Sequence, residues 1–256
     1  MSIYATEITS EIEASDNPIH HRLLKAYILA QPYISGYVLE VGCGKGRGIS
    51  LMIDKAKSFT ALDKIEEALT KLRNQYPSGK FIAGNFPPLQ AASDTCDVVV
   101  SFQVIEHIRD DQFFLKEIHR VLKPGGVALV TTPNRPMSLT RNPWHEREYT
   151  GEELLNLAKT IFPVATMKGI TGNQKVMAYH KQNRESVARF TRWDILDLQH
   201  RLPAALLRMP YEILNRINRK KLKARNHSLV MGITNEDYLL TDDSVHCLDL
   251  FLEVRK

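Results

Sequence analysis

Cysteine is scarce in this chain, and the three cysteines present are not placed to act together. Cys43, Cys96 and Cys247 are far apart, and none belongs to a CxxC pair or to a Cys/His ligand spacing. Neither a disulfide framework nor a structural zinc site is therefore supported. We expect the protein to work in a reducing, cytoplasmic environment.

Long hydrophobic runs are also missing. No stretch approaches the roughly 18 consecutive apolar residues of a membrane-spanning helix. The acidic N-terminal segment lacks the basic start and apolar stretch of a secretory signal, which argues against one. Hydrophobic residues at 43% and charged residues at 25% are ordinary for a globular protein. The 256 residues suffice for one large domain, or for one domain with an appendage.

Positive charge is concentrated in one segment. The whole chain carries a net charge of +5. Residues 181–225 hold twelve Lys/Arg and four Asp/Glu, a local net charge of +8. The other residues hold 22 basic and 25 acidic groups, a net charge of −3. A partner that recognises positive charge is therefore expected to meet this segment.

Short apolar runs alternate with helical patterns from residue 37 to 132, which is typical of a parallel α/β sheet. The pattern predicts seven strands, near 37–41, 58–62, 80–83, 96–102, 126–132, 163–169 and 245–254. It predicts helices near 18–33, 45–55, 64–75, 110–122 and 150–161.

Three parts of the chain follow from this pattern. We expect an N-terminal helical segment at residues 1–35, a core domain at 36–170 together with 245–256, and a basic helical insertion at 171–244. The insertion is predicted because the chain between the last two strands is too long for a simple loop. Pro203 and Pro210 interrupt its helical spacing, which predicts two short helices over residues 202–225.

Residues 38–48, VLEVGCGKGRG, place four glycines directly after the first predicted strand. Glycine lets the backbone approach a ligand closely, and the next helix offers unpaired N–H groups and the positive end of its dipole. Gly42, Gly44 and Gly46 form a GxGxG pattern. A dinucleotide-binding GxGxxG would need glycine where Arg47 stands, so a dehydrogenase is disfavoured. A tight turn without a ligand is the alternative.

Two carboxylates describe the ligand further. Glu40 stands at the end of the first strand, where a carboxylate suits a cationic ligand better than a pyrophosphate. Asp63, nineteen residues after Gly44, ends the second strand and is placed to accept hydrogen bonds from two ribose hydroxyls. Together these acids indicate a nucleoside that bears an ammonium group. For Asp63 alone, capping the next helix is the rival role.

Five ordered motifs complete the picture: VLEVGCGKG, TALDK, GNF, DVVVSFQVIEHI and HRVLKPGGVALVTTPN. Over about residues 36–134 the chain resembles the class I S-adenosylmethionine-dependent methyltransferases, in the branch of the ubiquinone-biosynthesis methyltransferases. The resemblance implies a Rossmann-like, doubly wound α/β sheet of seven strands, mostly parallel, with the last strand antiparallel. It also implies S-adenosyl-L-methionine as methyl donor and S-adenosyl-L-homocysteine as product.

The resemblance further implies which residues bind the cofactor: Glu40, Gly42, Gly44, Gly46, Asp63, Lys64, Asn85, Phe86, Phe102 and Gln103. Glu40 helps bind the amino end of the methionine part, beneath which the glycines pass, and Asp63 takes the ribose. Asn85 and Phe86 meet the adenine. Many family members have Asp where Asn85 stands, so we expect weaker adenine recognition.

Two histidines are candidates for the base that an acceptor hydroxyl would need. His107 follows the fourth strand at the carboxyl edge of the sheet, where open α/β folds bind their ligands. A structural or cofactor-supporting role is its alternative. His145 lies in the loop NPWHEREYT, and its alternative is loop packing.

The segment QVIEHI resembles the ExxEH motif of two methyltransferase groups, those acting on the 2′-hydroxyl at RNA 3′ ends and the catechol O-methyltransferases of ubiquinone biosynthesis. In both groups the motif can supply metal ligands. Gln103 here replaces the first carboxylate, which removes a charge from the site. We therefore expect no metal ion.

Residues 202–225 combine apolar positions at helical spacing with a terminal run of Lys/Arg. This pattern is typical of a helix at a membrane surface or against phosphates, and a solvated helix covering the site is the alternative. We expect methyl transfer to a small-molecule, lipid or glycan-lipid acceptor, with oxygen favoured, and peripheral membrane contact through 202–225. RNA 2′-O-methylation, and a non-catalytic protein that binds the cofactor and docks a partner, are the alternatives. The oligomeric state does not follow from the sequence.

Overall fold

The computed structural model describes residues 13–192 and 202–256. Residues 1–12 of the predicted N-terminal segment and residues 193–201 of the predicted insertion lie outside this part. The strands are β1 Tyr37–Val41, β2 Ser58–Asp63, β3 Lys80–Ala83, β4 Cys96–Phe102, β5 Leu122–Pro133, β6 Val164–Gly172, β7 Tyr238–Thr241 and β8 Asp249–Arg255. The helices are α1 Asn17–Ala30, α2 Ile49–Met52, α3 Glu66–Gln75, α4 Asp111–Val121, α5 Gly151–Lys159, α6 Gln174–Thr191, α7 Ala204–Arg225 and α8 His227–Gly232.

The strands of the described residues form one eight-stranded sheet in the order β3-β2-β1-β4-β5-β8-β6-β7. Strands β1 to β5 pair in parallel, and the last strand β8 runs antiparallel to both β5 and β6, as predicted. From β1 the next two strands are added on one side, as β2 and then β3, and the following strands β4 and β5 are added on the other side. The order of the strands therefore reverses between β1 and β4. The carboxyl ends of these two strands therefore flank the place where such sheets bind ligands.

Helices cover both faces of the sheet, which confirms the doubly wound class. One apolar layer packs α1, α2 and α3 against the sheet through side chains such as Tyr27, Met52 and Leu72. The opposite layer packs α4 and α5 through Phe114 and Leu154. Burial of both faces explains why β4 has a continuous apolar run instead of an alternating one.

The structure has one strand more than the seven predicted. Strand β7, Tyr238–Thr241, pairs antiparallel with β6 and lies inside the stretch predicted as a helical insertion. Leu239 and Leu240 are both exposed, at 48% and 40%, so this short edge strand lacks the apolar/polar alternation by which a strand is recognised. Strand β6 also runs to Gly172, past the predicted start of the insertion.

Two helix predictions also need correction. Helix α2 begins at Ile49 instead of near residue 45, because the left-handed φ of +83° at Gly46 prolongs the turn. The prediction of two short helices over 202–225 is wrong, since α7 is continuous from Ala204 to Arg225. Pro203 directly precedes this helix, and Pro210 removes one backbone donor without ending it.

The loop between β5 and α5 is fixed at both ends. Asn134 is fully buried and its side-chain amide donates to the carbonyls of Val245 and Cys247, at 2.9 and 2.8 Å. At the far end, Thr150 and Glu153 form a capping box at the start of α5. These contacts hold the loop that carries His145 against the sheet edge.

We expect Thr150→Ala to lower the free energy of unfolding by about 1 kcal/mol, because a capping box is lost. Thr160→Ala is the matched control, since the Thr160 hydroxyl donates to the Leu157 carbonyl at the opposite end of the same helix. Chemical unfolding of both variants checks this prediction. Equal destabilisation by the two substitutions would contradict it.

Candidate functional site

The glycine turn after β1 leaves open space at its centre. Gly42, Gly44 and Gly46 have φ of +81°, +53° and +83°, a region that side chains rarely allow. A Cβ on Gly42 would lie 2.3 Å from Val104, and one on Gly46 would lie 2.5 Å from Leu72. A Cβ on Gly44 would meet nothing within 4 Å. Close packing therefore explains two of the glycines, whereas Gly44 borders space that a ligand can fill.

Glu40 is buried at the end of β1 with one carboxylate oxygen unsatisfied. Its Oε1 accepts a hydrogen bond from the Tyr27 hydroxyl at 2.8 Å, whereas Oε2 has no hydrogen-bond partner in the described structure. Burial raises the pKa of Glu40 to about 7, with a further contribution from the nearby charge of Asp63, while the Tyr27 hydrogen bond acts in the opposite direction. An ammonium group is the partner that this oxygen lacks, so the site fits the amino group of S-adenosylmethionine.

Asp63 ties the end of β2 to the glycine turn. Its Oδ2 accepts from the Gly44 N–H at 2.7 Å and its Oδ1 from the Ile65 N–H at 2.9 Å. Ile65 is itself the N-cap residue of α3, so Asp63 does not occupy the capping position that was its rival role. An ionised carboxylate offers about four acceptor sites, so ribose hydroxyls can still be bound.

The residues predicted to contact the adenine and the methionine part of the cofactor lie further along the same sheet edge. The Gly84 N–H donates to the Asp63 carbonyl at 3.0 Å, which holds the start of the segment carrying Asn85 next to the end of β2. Phe86 stacks on Phe114 with 6.2 Å between ring centroids, and both Asn85 and Lys64 are exposed.

Gln103, directly after β4, has a left-handed φ of +58° that is uncommon for a residue with a side chain. Its backbone N–H donates to the Thr131 carbonyl at 2.9 Å, and its side-chain amide donates to the Thr131 hydroxyl at 3.3 Å. Strained residues held in this way are frequent at ligand sites.

Tyr27 is a site residue that sequence reasoning missed. Besides its hydrogen bond to Glu40, its ring lies edge-on to Phe102 at 4.8 Å between centroids. A Cβ on Gly48 would lie only 1.8 Å from the Tyr27 ring, so the ring packs directly on the glycine turn. Its helical spacing with Leu23 and Ala30 was the available signal, but that spacing indicates only a buried face.

A cavity of about 260 Å³ adjoins the cofactor residues at Gln103. It lies between the sheet edge, α1, the loop after β5, and helices α6 and α7. The lining combines apolar side chains with cations, carboxylates, amides and phenols; its members include Ile19, Arg22, Leu23, Gln103, Glu106, His107, Met137, Leu139, His145, Glu148, Tyr179, His180, Asn183, Tyr211, Asn215 and Arg219. An acceptor bound here would meet the methyl donor beside Gln103.

The two predicted catalytic histidines lie together in this cavity, with 5.0 Å between ring centroids. His107 Nδ1 is 2.9 Å from the Trp144 carbonyl oxygen. A carbonyl only accepts, so Nδ1 carries the hydrogen and Nε2 of the neutral ring is an acceptor. His145 Nδ1 lies 2.7 Å from a Glu148 oxygen, and its Nε2 lies 2.9 Å from the Asn142 amide nitrogen.

Glu106 joins these histidines in a cluster that could hold a metal ion. One ligand atom from each of Glu106, His107 and His145 lies within 4.8 Å of the others. Glu106 is buried and accepts from the Thr132 hydroxyl at 3.0 Å. Two imidazoles and a carboxylate are a ligand set for divalent transition metals. The expectation of no metal, which rests on Gln103, remains a prediction.

The far wall of the cavity contains charged residues that the sequence did not mark. Arg22 on α1 lies 3.1 Å from Asp249, which is 1% exposed. Burial raises the pKa of Asp249, and the Arg22 charge opposes that shift. His180 Nε2 lies 3.3 Å from the Met137 carbonyl oxygen. Burial is the main cause that lowers the pKa of His180, so this ring is neutral at pH 7.

The part of the chain that matches known proteins contains the glycine turn, Asp63 and Gln103. Residues 39–130 match the sequence model of the family described as Methyltransferase domain. A probable S-adenosylmethionine-dependent methyltransferase of Mycolicibacterium smegmatis is 43% identical over 128 residues, which are 48% of this chain and 50% of that protein. The phthiotriol/phenolphthiotriol dimycocerosates methyltransferase of Mycobacterium leprae is 31% identical over 171 residues, 64% of this chain and 62% of that protein.

The fold also matches a solved structure. A Thermotoga maritima protein described as an S-adenosylmethionine-dependent methyltransferase, possibly acting on histamine nitrogen, superposes with a TM-score of 0.58 at 15% identity, covering 93% of this chain and 91% of that one. This likeness concerns the fold alone. The chain spans about half the length of the first curated relatives it matches. Among the described helices, none has the length and apolar character needed to cross a bilayer.

We expect the affinity for S-adenosylmethionine to rise with pH up to about pH 7, because the ammonium group binds the ionised form of Glu40. Below this pKa the affinity falls by up to about tenfold per pH unit, since binding must release a proton. Calorimetric titration between about pH 5.5 and 7, where the cofactor amine stays protonated, measures the effect.

The Glu40→Gln variant should bind more weakly and lose this pH dependence. Glu67→Gln is the control, because Glu67 is exposed and pairs with Lys71 on the surface of α3. A pH-dependent affinity that persists in Glu40→Gln would show that another group is responsible.

Proposed function

We propose that the protein is a class I S-adenosylmethionine-dependent methyltransferase that transfers the donor's methyl group to an oxygen of a small-molecule or lipid-like acceptor. Residues 39–130 match the Methyltransferase domain model, and a curated relative is named as a probable enzyme of this kind. The observation that carries the proposal is the position of His107. Its ring lines a cavity of about 260 Å³ that meets the cofactor residues at Gln103, and its tautomer presents Nε2 as an acceptor.

In the proposed reaction, a lone pair of the acceptor oxygen attacks the methyl carbon in line with the carbon–sulfur bond. That bond breaks with its electron pair remaining on sulfur, which gives S-adenosylhomocysteine. The acceptor proton passes to His107 Nε2. Because the sulfonium is a good leaving group, the protein's main contribution is to align the two reactants and exclude water.

The neighbours of His107 support this role through positioning. The Trp144 carbonyl holds the proton on Nδ1, and the His145 ring packs edge-on against the His107 ring. His145 is in turn held by Glu148 and Asn142, so both of its ring nitrogens already have partners. We propose His107 as the base because its ring lines the cavity beside Gln103, and His145 as the residue that orients it.

The cavity lining supports an acceptor with both apolar and polar parts. Leu23, Met137 and Leu139 line it together with Asn183 and Tyr211. The relative named for phthiotriol dimycocerosates, which matches 64% of this chain, supports a lipid-like acceptor. Nitrogen is a less favoured acceptor atom, because an unprotonated amine would not need a base placed as His107 is.

The acceptor class can be tested by incubating the protein with methyl-labelled S-adenosylmethionine and a cell extract separated into lipid, RNA, protein and small-molecule fractions. We expect label in the lipid or small-molecule fraction, and none with the cofactor-site variant Asp63→Ala. Label in RNA would overturn the proposed acceptor. Cofactor binding without transfer to any fraction would instead favour a non-catalytic protein.

With the labelled fraction as acceptor, we expect His107→Ala to lower kcat by about a hundredfold or more, because proton transfer by a positioned base contributes that much. The Kd for S-adenosylmethionine should stay within about twofold, since His107 lies on the acceptor side of Gln103. His246→Ala is the matched control, because His246 is exposed and contacts Asp243 on the surface. A His107→Ala variant with normal kcat would remove the proposed base.

A metal-assisted transfer, as in RNA 2′-O-methylation, is the second candidate because Glu106, His107 and His145 lie within ligand reach of one another. The contacts at Nδ1 of each histidine resemble those that orient metal-bound imidazoles. A bound divalent cation would polarise the acceptor oxygen and lower its pKa. Against it stand the amide at Gln103 and the Asn142 contact at His145 Nε2.

We expect chelation by EDTA to leave the initial rate unchanged within about twofold, because the proposed base needs no cation. Rates with and without added Mg²⁺, Mn²⁺ or Zn²⁺ check this. Loss of activity on chelation, restored by a cation in the wild type but not in Glu106→Gln, would instead establish the second candidate.

A further inference from the structure

Helix α7 has the opposite polarity to that of an ordinary surface helix. Over its first four turns, polar side chains face the protein, including Tyr211, Asn215 and Arg219, which line the cavity. Large apolar side chains face outward: Leu206, Met209, Ile213, Leu214 and Ile217, which are 48% to 64% exposed. We call these five residues the outward stripe. A helix that serves only to cover a site would instead turn its apolar face inward.

The inward side chains are engaged within the chain. Asn218 is 5% exposed and its side chain bonds to those of Ser186 and Asn183 at 2.6 and 2.7 Å. Arg219 lies 3.2 Å from Asp16. These contacts fix the rotation of α7 about its axis, so the outward stripe is held away from the described part of the protein.

The outward stripe is continuous along the helix. Leu206, Met209, Ile213 and Ile217 recur every three or four residues, which places them on one face. At 1.5 Å per residue the stripe is about 16 Å long. Its members are neighbours on one helix face, so they form a patch instead of the scattered exposed residues that need no explanation.

Basic residues follow the stripe toward the C-terminal end of α7. Helix α7 carries seven Lys/Arg and one Glu. The guanidinium of Arg208 lies over the Trp144 ring at 4.3 Å, and Arg216 and Arg219 face Asp16. The other four cations, Lys220, Lys221, Lys223 and Arg225, occupy the last two turns, where all but Lys223 are exposed.

We propose that α7 is a docking surface for anionic lipid membranes, with the outward stripe inserted among the acyl chains and the C-terminal Lys/Arg residues against the headgroups. An apolar face followed by a cationic cluster matches the two layers of such an interface. A protein partner would have to supply both an apolar groove and an acidic patch, whereas an anionic bilayer supplies both along its whole surface. The proposal goes beyond methyl transfer, and vesicle binding requires neither cofactor nor acceptor.

The test is sedimentation of the full chain with phosphatidylcholine vesicles and with mixed phosphatidylcholine/phosphatidylglycerol vesicles. We expect at least about tenfold tighter binding to the anionic vesicles, weakened by salt. The Ile213→Ser/Ile217→Ser variant should lose about tenfold or more of that binding. Val164→Ser/Leu239→Ser is the matched control, because these residues are exposed to a similar extent, 51% and 48%, on the strands β6 and β7.

A fluorescent label shows whether the stripe itself enters the bilayer. The three native cysteines are buried, so a polarity-sensitive dye will attach selectively to Met209→Cys. We expect its emission to shift to the blue with anionic vesicles, and that of the same dye on Val164→Cys to remain unchanged. A shift in both positions, or in neither, would overturn the proposal.

Two further results would also overturn it. The first is equal vesicle binding by the wild type and the Ile213→Ser/Ile217→Ser variant. The second is a wild-type dimer, seen by analytical ultracentrifugation without lipid, that this variant converts to a monomer, since the stripe would then be covered by a second copy of the chain. Failure of vesicle binding would leave the proposed methyl transfer intact, because that reaction is measured without vesicles.

Discussion

The burial of Glu40 next to Asp63 is the constraint around which this site is built. Two carboxylates at the ends of adjacent parallel strands repel each other, and the Glu40 carboxyl is also removed from water. The Tyr27 hydroxyl and the backbone N–H groups of Gly44 and Ile65 stabilise the pair in the absence of a cation. These hydrogen bonds connect the two carboxylates to helix α1, the glycine turn and the start of α3.

The predicted cofactor residues and the cavity occupy different parts of the same sheet edge. The predicted cofactor residues Glu40 and Asp63 lie at the ends of β1 and β2, whereas the cavity lies beyond β4, with Gln103 at the boundary. Its left-handed backbone, held by two contacts to Thr131, sharply turns the chain from β4 toward His107. The carboxyl ends of β1, β2 and β4 thus bring the predicted cofactor residues and the cavity to one edge of the sheet.

The core of the fold was predictable because its signals are local. The runs YVLEV and CDVVVSF, and the GxGxG turn, each identify their element without reference to the rest of the chain. Strand β7 and the continuity of α7 were not predictable in this way. The first depends on pairing with the distant β6. The second depends on contacts on either side of Pro210, those of Arg208 with Trp144 and of Asn218 with Ser186.

The site divides along the same line. The predicted cofactor residues sit within or next to motifs, so spacing alone was enough to propose them. The acceptor cavity is assembled from α1, the loop after β5, α6 and α7, and its members Arg22, Tyr179 and His180 carry no motif. Tyr27 was missed for a similar reason. Its hydrogen bond to Glu40, thirteen residues away, does not affect the periodic spacing of apolar residues from which helices are predicted.

One consequence follows from the position of helix α7, whose two faces serve different surroundings. Tyr211 and Asn215 face the cavity, whereas Ile213 and Leu214, which lie between them in the sequence, face outward. Because both sets of side chains belong to one helix, they move together when the helix moves. A contact that shifted the helix from outside would move these cavity-lining side chains, and a cavity ligand that favoured the same shift would strengthen the outer contact by the same factor. This helix is therefore the element through which binding at the outer surface and binding in the cavity would be coupled.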